Sequence, residues 1–208
     1  ELSLQKMTPR SLKTRTAHTL KWSLVDRIST QVLYAVTGIV LARALSPSDF
    51  GLVGAALVFQ AFATLLVDGG FGYALLQRKR PTRLDYSTVL WFNIAVAVAM
   101  YIVLALCAPL IADCFQGDRR LIPVARVLFL SLIANAATIV QTNRLTKAMD
   151  VRGIALANSL ALIAGGVAGI ALALTGAGVW AIVGQTLVLA VVKCIVLWTA
   201  TRWRPLLR

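Results

Sequence analysis

The chain has few of the side chains from which enzymes most often build a reactive centre. It contains one histidine, three cysteines and only eight acidic residues among 208. His18 stands alone, and Cys107, Cys114 and Cys194 form an odd set without metal-ligand spacing. The glycine-rich stretch 69–72 follows no strand and so does not match a phosphate-binding loop. The sequence therefore predicts no enzyme, no metal site and no cofactor.

Long polar segments are scarce as well. Hydrophobic residues make up 59% of the chain, and mean hydropathy is +0.79. A soluble domain of this size would have helices with charged outer faces, and the long apolar stretches have none. Each is long enough to cross a hydrocarbon core about 30 Å thick. We therefore expect an all-α polytopic membrane protein with six transmembrane helices, at about 22–44, 51–76, 88–112, 122–143, 154–175 and 178–200.

The net charge of +13 is distributed unevenly between the gaps. Of 21 Lys and Arg residues, 15 lie before the first span, after the last, or in the gaps that follow the second and fourth. By the positive-inside rule this bias predicts a multi-pass protein with both termini cytoplasmic. The basic surface would attract anionic lipid headgroups rather than nucleic acid. The predicted organisation is a basic N-terminal segment (1–21), a six-helix lobe (22–200) and a basic end (201–208).

Polar residues recur every three or four positions on one face of the first, second and fourth spans. A charge near the bilayer centre costs about 2.5–3.5 kcal/mol on insertion scales, so these faces should border the bundle interior or a hydrated cavity. The stripes are Ser23, Arg27, Thr30, Tyr34 and Thr37; Gln60, Thr64 and Asp68; and Ser131, Asn135, Thr138 and Thr142. The sixth span adds Lys193.

Two interpretations of the charged members remain open. The first is a water-filled, cation-lined cavity that opens toward the cytoplasm. The second is an interior salt bridge between Arg27 and Asp68, with Lys193 reaching out to the lipid headgroups. Small residues every four positions in the fifth span (Ala157, Ala161, Gly165, Gly169 and Ala173) predict close helix packing and say nothing of a substrate.

Four segments carry a family resemblance. They read SLKTRTAHTLKWSLVDR (11–27), LARALSPSDFGLVGA (41–55), VDGGFGYALLQRKRPTRLDYSTVLWFN (67–93) and GAGVWAIVGQ (176–185). Together they resemble the polysaccharide-transporter branch of the multidrug/oligosaccharidyl-lipid/polysaccharide flippase superfamily, above all its lipopolysaccharide and colanic-acid-type exporters. Members have two pseudo-symmetric lobes, so the chain is similar to the N-terminal lobe alone, and a second lobe is expected as its partner.

The resemblance implies a flippase of the bacterial inner membrane that moves an undecaprenyl-diphosphate-linked oligosaccharide by alternating access. Arg27 is then a candidate for pyrophosphate contact, because a guanidinium fork matches phosphate oxygens. Asp26 and Asp68 are candidates for binding a coupling ion. The other cavity candidates that this interpretation uses are Thr30, Tyr34, Gln60, Asn135 and Lys193.

Three alternatives differ in what they require. A cation-coupled multidrug or organic-cation antiporter of the same superfamily would have an acidic cavity centred on Asp68. A membrane glycan ligase or polymerase would need large outer loops, which the sequence lacks. An inactive half-protein fragment would fold as a helix bundle and expose the face meant for its missing lobe.

Overall fold

The structure, a computed structural model, describes residues 28, 30–43, 45–70, 72, 75, 77–78, 81–115, 118–148, 150–201 and 205. These residues form helices joined by turns, with no strand among them. The helices are α1 (Thr30–Arg43), α2 (Pro47–Asp68), α3 (Arg83–Cys114), α4 (Leu121–Phe129), α5 (Ser131–Lys147), α6 (Val151–Leu174) and α7 (Trp180–Thr201).

Within the described ranges, five helical segments are long and apolar enough to cross a membrane. They are α2, α3, α6, α7 and the segment Leu121–Lys147, which contains α4 and α5. The helix α1 is apolar but shorter, and the predicted span 22–44 begins outside the described residues. The all-α polytopic membrane class is thereby confirmed.

The second helix begins and ends earlier than the predicted span 51–76. Ser46 caps its first turn, and Asp49 at the third position bonds back to the Ser46 N–H, a reciprocal capping box with Pro47 between them. At the other end Gly69 and Gly70 adopt φ values of 46° and 74°, which favour glycine and stop the helix. The chain resumes helical conformation at Gly72, Leu75 and Gln77.

The predicted fourth span is interrupted at Leu130, between α4 and α5. Leu130 N–H donates to the carbonyl of Val127, and Ile133 N–H donates to that of Leu130, so the turn is tighter than an α-helical one. The preceding helix, α3, has 32 residues and is about 48 Å long, more than the hydrocarbon core needs.

The helices α6 and α7 form the most extensively packed pair. A Cβ atom added to Gly165 would lie 2.9 Å from the backbone oxygen of Gln185, so the two backbones approach closely through the small-residue stripe. The helix α1 packs on this pair, with Leu41 of α1 and Leu45 just beyond its end clustered with Ala173.

We call the end of the bundle that carries Arg78, Arg83 and Lys147 the basic end. The largest apolar cluster lies toward the opposite end, where α2, α3, α4 and the start of α7 meet around Phe129 and Val183. Toward the basic end the apolar clusters are smaller, and polar side chains take their place.

Candidate functional site

A cavity of about 420 Å³ lies near the basic end, between α2, α5, α7 and the residues that follow α2. It is open to the surface rather than enclosed. Its lining residues are Asp68, Gly72, Thr138, Ile139, Thr142, Asn143, Thr146 and Lys193. Only Ile139 of these has an aliphatic side chain, so polar and charged residues make up most of the lining, along parts of three helices. We call this space the polar cavity.

The wall formed by α5 carries threonines at successive turns. Thr138, Thr142 and Thr146 are four residues apart, so the wall extends along about 12 Å of helix. Two of these hydroxyls donate to carbonyls of their own helix, Thr138 to Asn135 (2.7 Å) and Thr146 to Thr142 (2.8 Å). Each such hydroxyl oxygen still has acceptor capacity that a ligand donor can use. The wall therefore suits a partner rich in hydroxyl or N–H groups.

The two charged members of the lining come from different helices and have opposite sign. Asp68 ends α2 and is exposed, whereas Lys193 lies within α7 and is partly buried. Water in an open cavity can hydrate both groups, which lowers the penalty of placing them between membrane helices. Both residues are candidates from the sequence, and the structure brings them into one cavity.

The remaining wall is the segment that follows α2. A Cβ atom added to Gly72 would lie 2.6 Å from Nδ2 of Asn143, so only a residue without a side chain fits here undisturbed. Beyond it, Nζ of Lys147 donates to the carbonyl of Leu75 at 3.2 Å and also to that of Arg78. The hydrogen bonds of Lys147 thus hold the segment after α2 against the end of α5.

Three further predicted site residues lie elsewhere. Gln60 is buried, and its amide Nε2 donates to the hydroxyl of Ser131 at 2.7 Å, which links α2 to α5 beside the break at Leu130. Thr30 and Tyr34 are on α1 with Thr37, whose hydroxyl lies against Gly166 of α6. Gln60, Thr30 and Tyr34 are therefore not part of the lining of the polar cavity.

Among the described residues, Gln60 and Asp68 of the α2 stripe therefore meet members of the α5 stripe, whereas Thr37 of the α1 stripe lies against α6 and Tyr34 is exposed. Asn135 is partly buried on α5, between Ser131 and Thr138, and is also absent from the cavity lining. Arg27 and Asp26 lie outside the described residues, so the predicted Arg27–Asp68 pairing stays a prediction.

Sequence reasoning missed Thr146, which continues the four-residue stripe, because it lies beyond the end of the predicted span 122–143, and it missed Asn143 because only a single stripe was followed. A cavity wall is wider than one row of side chains, so Asn143, next to Thr142 in the chain, also reaches it. Gly72 belongs to the glycine-rich stretch, and its close approach to Asn143 is a long-range contact with no local sequence signal.

Cations gather where the cavity meets the basic end. The guanidinium of Arg144 lies over the ring of Tyr86, 5.7 Å from its centroid, and Arg78 forms an ion pair of 2.7 Å with Asp85. Across the parts of the chain that the structure covers, no three His, Cys, Asp or Glu side chains are grouped as metal ligands. The lining of the polar cavity offers hydroxyl, amide, carboxylate and ammonium groups for polar contacts.

Comparison with known proteins gives a family. A family profile described as polysaccharide biosynthesis protein matches residues 40–208. The succinoglycan biosynthesis transport protein ExoT of Rhizobium meliloti is 28% identical over 96% of this chain and 40% of its own length. The lipopolysaccharide biosynthesis protein WzxC of Escherichia coli is 30% identical over 59% of the chain and 25% of its own length.

A third relative, the teichuronic acid biosynthesis protein TuaB of Bacillus subtilis, is 27% identical over 55% of the chain and 24% of its own length. The chain thus spans about two fifths or less of the curated relatives it matches. No solved structure matches it significantly. The resemblance to polysaccharide exporters in the four sequence segments is confirmed by these matches.

Proposed function

Because this chain belongs to the polysaccharide biosynthesis protein family, we propose that it is a lobe of an exporter that flips a lipid-linked oligosaccharide across the membrane. The observation that carries the proposal is the polar cavity, in which Asp68 and Lys193 come together between spanning helices. Ionisable groups at such positions are rare in membrane proteins and mark pathways for polar substrates or ions.

The lining suits the proposed substrate in three respects. Threonine hydroxyls and the Asn143 amide match the many hydroxyl groups of a sugar. The Lys193 ammonium can attract a diphosphate, as a point charge without bidentate geometry. Asp68 can take up a proton or a cation, which would couple transport to an ion gradient. No covalent step is required, since alternating access moves the substrate by rearrangement of helices.

A substrate carrying sugars needs more room than this cavity offers on its own. We therefore include a second lobe in the proposal, facing the open side of the polar cavity. The membrane is the bacterial inner membrane, with the basic end cytoplasmic, because Lys and Arg collect there in the sequence. Reporter fusions after Arg78 and after Gly117 test this orientation: the first should report cytoplasm and the second the outer side, and the reverse result would overturn it.

The test of transport uses the chain in its full natural gene product, in a bacterium whose own exporter is deleted. Lys193→Gln and Asp68→Asn should each reduce surface polysaccharide at least about tenfold, since each removes a charge from the passage. Arg119→Gln, in a turn at the opposite end, is the matched control and should export normally. Normal export by both cavity variants, at wild-type membrane levels, would overturn the role of the cavity.

A second candidate, an organic-cation antiporter, is favoured by one observation only, the carboxylate of Asp68 in the cavity lining. It predicts that Asp68→Asn abolishes efflux of a cationic dye from loaded vesicles, whereas Lys193→Gln enhances it. Under the exporter proposal the wild-type protein moves no dye, so this assay separates the two functions.

A further inference from the structure

Arg126 places a cation on the outer surface of the bundle, away from the polar cavity. It lies in α4 about 7 Å along the helix from Leu121, and its side chain is exposed. Two exposed leucines are close to it by position: Leu130, four residues later in the chain, is 42% exposed, and Leu106, next to the Ala105 that Arg126 bonds, is 71% exposed. An arginine on such a surface faces acyl chains and the adjacent headgroup layer, where a lone charge is unfavourable.

A proline in the neighbouring helix fixes the direction of this side chain. Pro109 lies inside α3 and has no N–H, so the carbonyl of Ala105, four residues earlier, loses its helical partner. Nε of Arg126 donates to that carbonyl oxygen at 3.3 Å. The bond satisfies a carbonyl that would otherwise be unpaired between membrane helices, and it orients the guanidinium.

The hydrogen bond leaves most of the guanidinium uncommitted. Arginine has five N–H donors, four of them on the two terminal nitrogens, and the carbonyl takes only the one on Nε. A carbonyl also does not neutralise the charge. Among the described residues, the ion pairs join Arg78 to Asp85 and Arg120 to Asp118, and no carboxylate pairs with Arg126.

We propose that Arg126 is a binding site for a lipid-borne phosphate in the leaflet at the end of the bundle opposite the basic end. The terminal nitrogens form a fork that matches two phosphate oxygens, and exposed leucines such as Leu106 and Leu130 accept the acyl or prenyl chain. A phosphate supplies the missing negative charge, and its tail covers apolar surface. The site is separate from the polar cavity, so lipid binding at Arg126 can be tested independently of transport.

Two lipids could bring such a phosphate, an anionic phospholipid or a phosphorylated prenyl lipid. The experiment reconstitutes the full chain in phosphatidylcholine nanodiscs doped with phosphatidylglycerol or, in a second arm, with undecaprenyl phosphate. Lipids retained after release from the disc are counted by native mass spectrometry. The arm in which retention depends on Arg126 identifies the source.

Arg126→Gln should lower retention of the anionic lipid about tenfold, because it removes the charge-assisted hydrogen bonds. Arg119→Gln, which removes an exposed arginine nearby in the chain, should leave retention unchanged. Should Arg126→Gln fail to fold, Arg126→Lys keeps the charge but not the fork, and an intermediate loss is expected. Wild-type retention in either Arg126 variant, or an equal loss in Arg119→Gln, would overturn the site.

Discussion

Nε2 of Gln60 in α2 lies 2.7 Å from the hydroxyl oxygen of Ser131, the first residue of α5. The same hydroxyl accepts this bond and donates to the carbonyl of Leu128 across the break at Leu130, also at 2.7 Å. A side chain of one helix therefore braces the point at which the neighbouring span is interrupted. In the part of the chain that the structure describes, Oε1 of Gln60 has no hydrogen-bond partner.

This arrangement predicts unequal effects for its two members. Ser131→Ala leaves the Nε2 donor of Gln60 buried and unpaired, so the free energy of unfolding should fall by about 1–3 kcal/mol. Gln60→Leu removes both the donor and the already unpaired oxygen at similar volume, and should change stability by less than about 1 kcal/mol. Thermal unfolding in detergent measures both; a larger loss for Gln60→Leu would contradict the bond.

The contact of Gly72 with Asn143 predicts a loss of function without a loss of fold. In Gly72→Ala the new methyl group meets the end of a flexible side chain, which can rotate away, so stability should change little. The displaced amide alters the cavity lining, and surface polysaccharide should decrease. The double variant Gly72→Ala, Asn143→Ala removes the clash between the new methyl group and the amide, and its export tests whether that clash causes the decrease. Equal export by Gly72→Ala and wild type would argue against a role for this wall.

The packing of α6 on α7 predicts a strong effect of one methyl group. A Cβ atom at Gly165 would lie 2.9 Å from the backbone oxygen of Gln185, and backbone moves less readily than a side chain. Gly165→Ala should therefore lower stability by about 1–3 kcal/mol. The control is Gly54→Ala in α2, where a Cβ meets nothing within 4 Å and should stabilise by about 0.5–1 kcal/mol. Unfolding midpoints that shift equally in Gly165→Ala and Gly54→Ala would refute this packing.

The bonds of Lys147 predict protection of the chain near Arg78. Lys147→Met removes both hydrogen bonds to the carbonyls of Leu75 and Arg78, so local opening should become about fivefold more frequent. Trypsin cleavage after Arg78, followed by mass spectrometry, reports this opening. Lys193→Met is the matched control, since it leaves those two bonds in place, and cleavage there should remain at the wild-type rate.

The turn after α3 predicts a pH effect at Asp118. Its carboxylate accepts hydrogen bonds from Nε and Nη2 of Arg120, and these hold the pKa of Asp118 below its ordinary value. The contact is therefore present at neutral pH and is lost only as pH falls through that lowered pKa. In Arg120→Gln the pKa of the Asp118 carboxyl should move back up toward its ordinary value. Carbon NMR of the labelled aspartate measures the midpoint, and an unchanged midpoint would exclude the contact.

The sequence was enough to predict many of the residues that belong to the site, but not which residues they meet in space. Asp68, Lys193, Thr138 and Thr142 are evident in the sequence because polar groups are rare in spans and follow helical spacing. Their joint presence in one cavity depends on how α2, α5 and α7 pack. Thr30 and Tyr34 have the same spacing and yet lie on α1, away from this cavity, and of their stripe it is Thr37 that lies against α6.

What the sequence determined alone is the class, the helical periodicity and the small-residue contact surface of α6. These follow from local chemistry, because the bilayer demands long apolar helices and glycine permits close approach. Tertiary structure decided where α2 ends, how the fourth span is interrupted, and which neighbour each polar group meets. The physical reason is that a polar stripe specifies only which face of a helix must turn inward. The hydrogen-bond partners of Gln60 and Arg126 lie on other helices, and those of Lys147 lie in the segment after α2, so only packing brings them within reach.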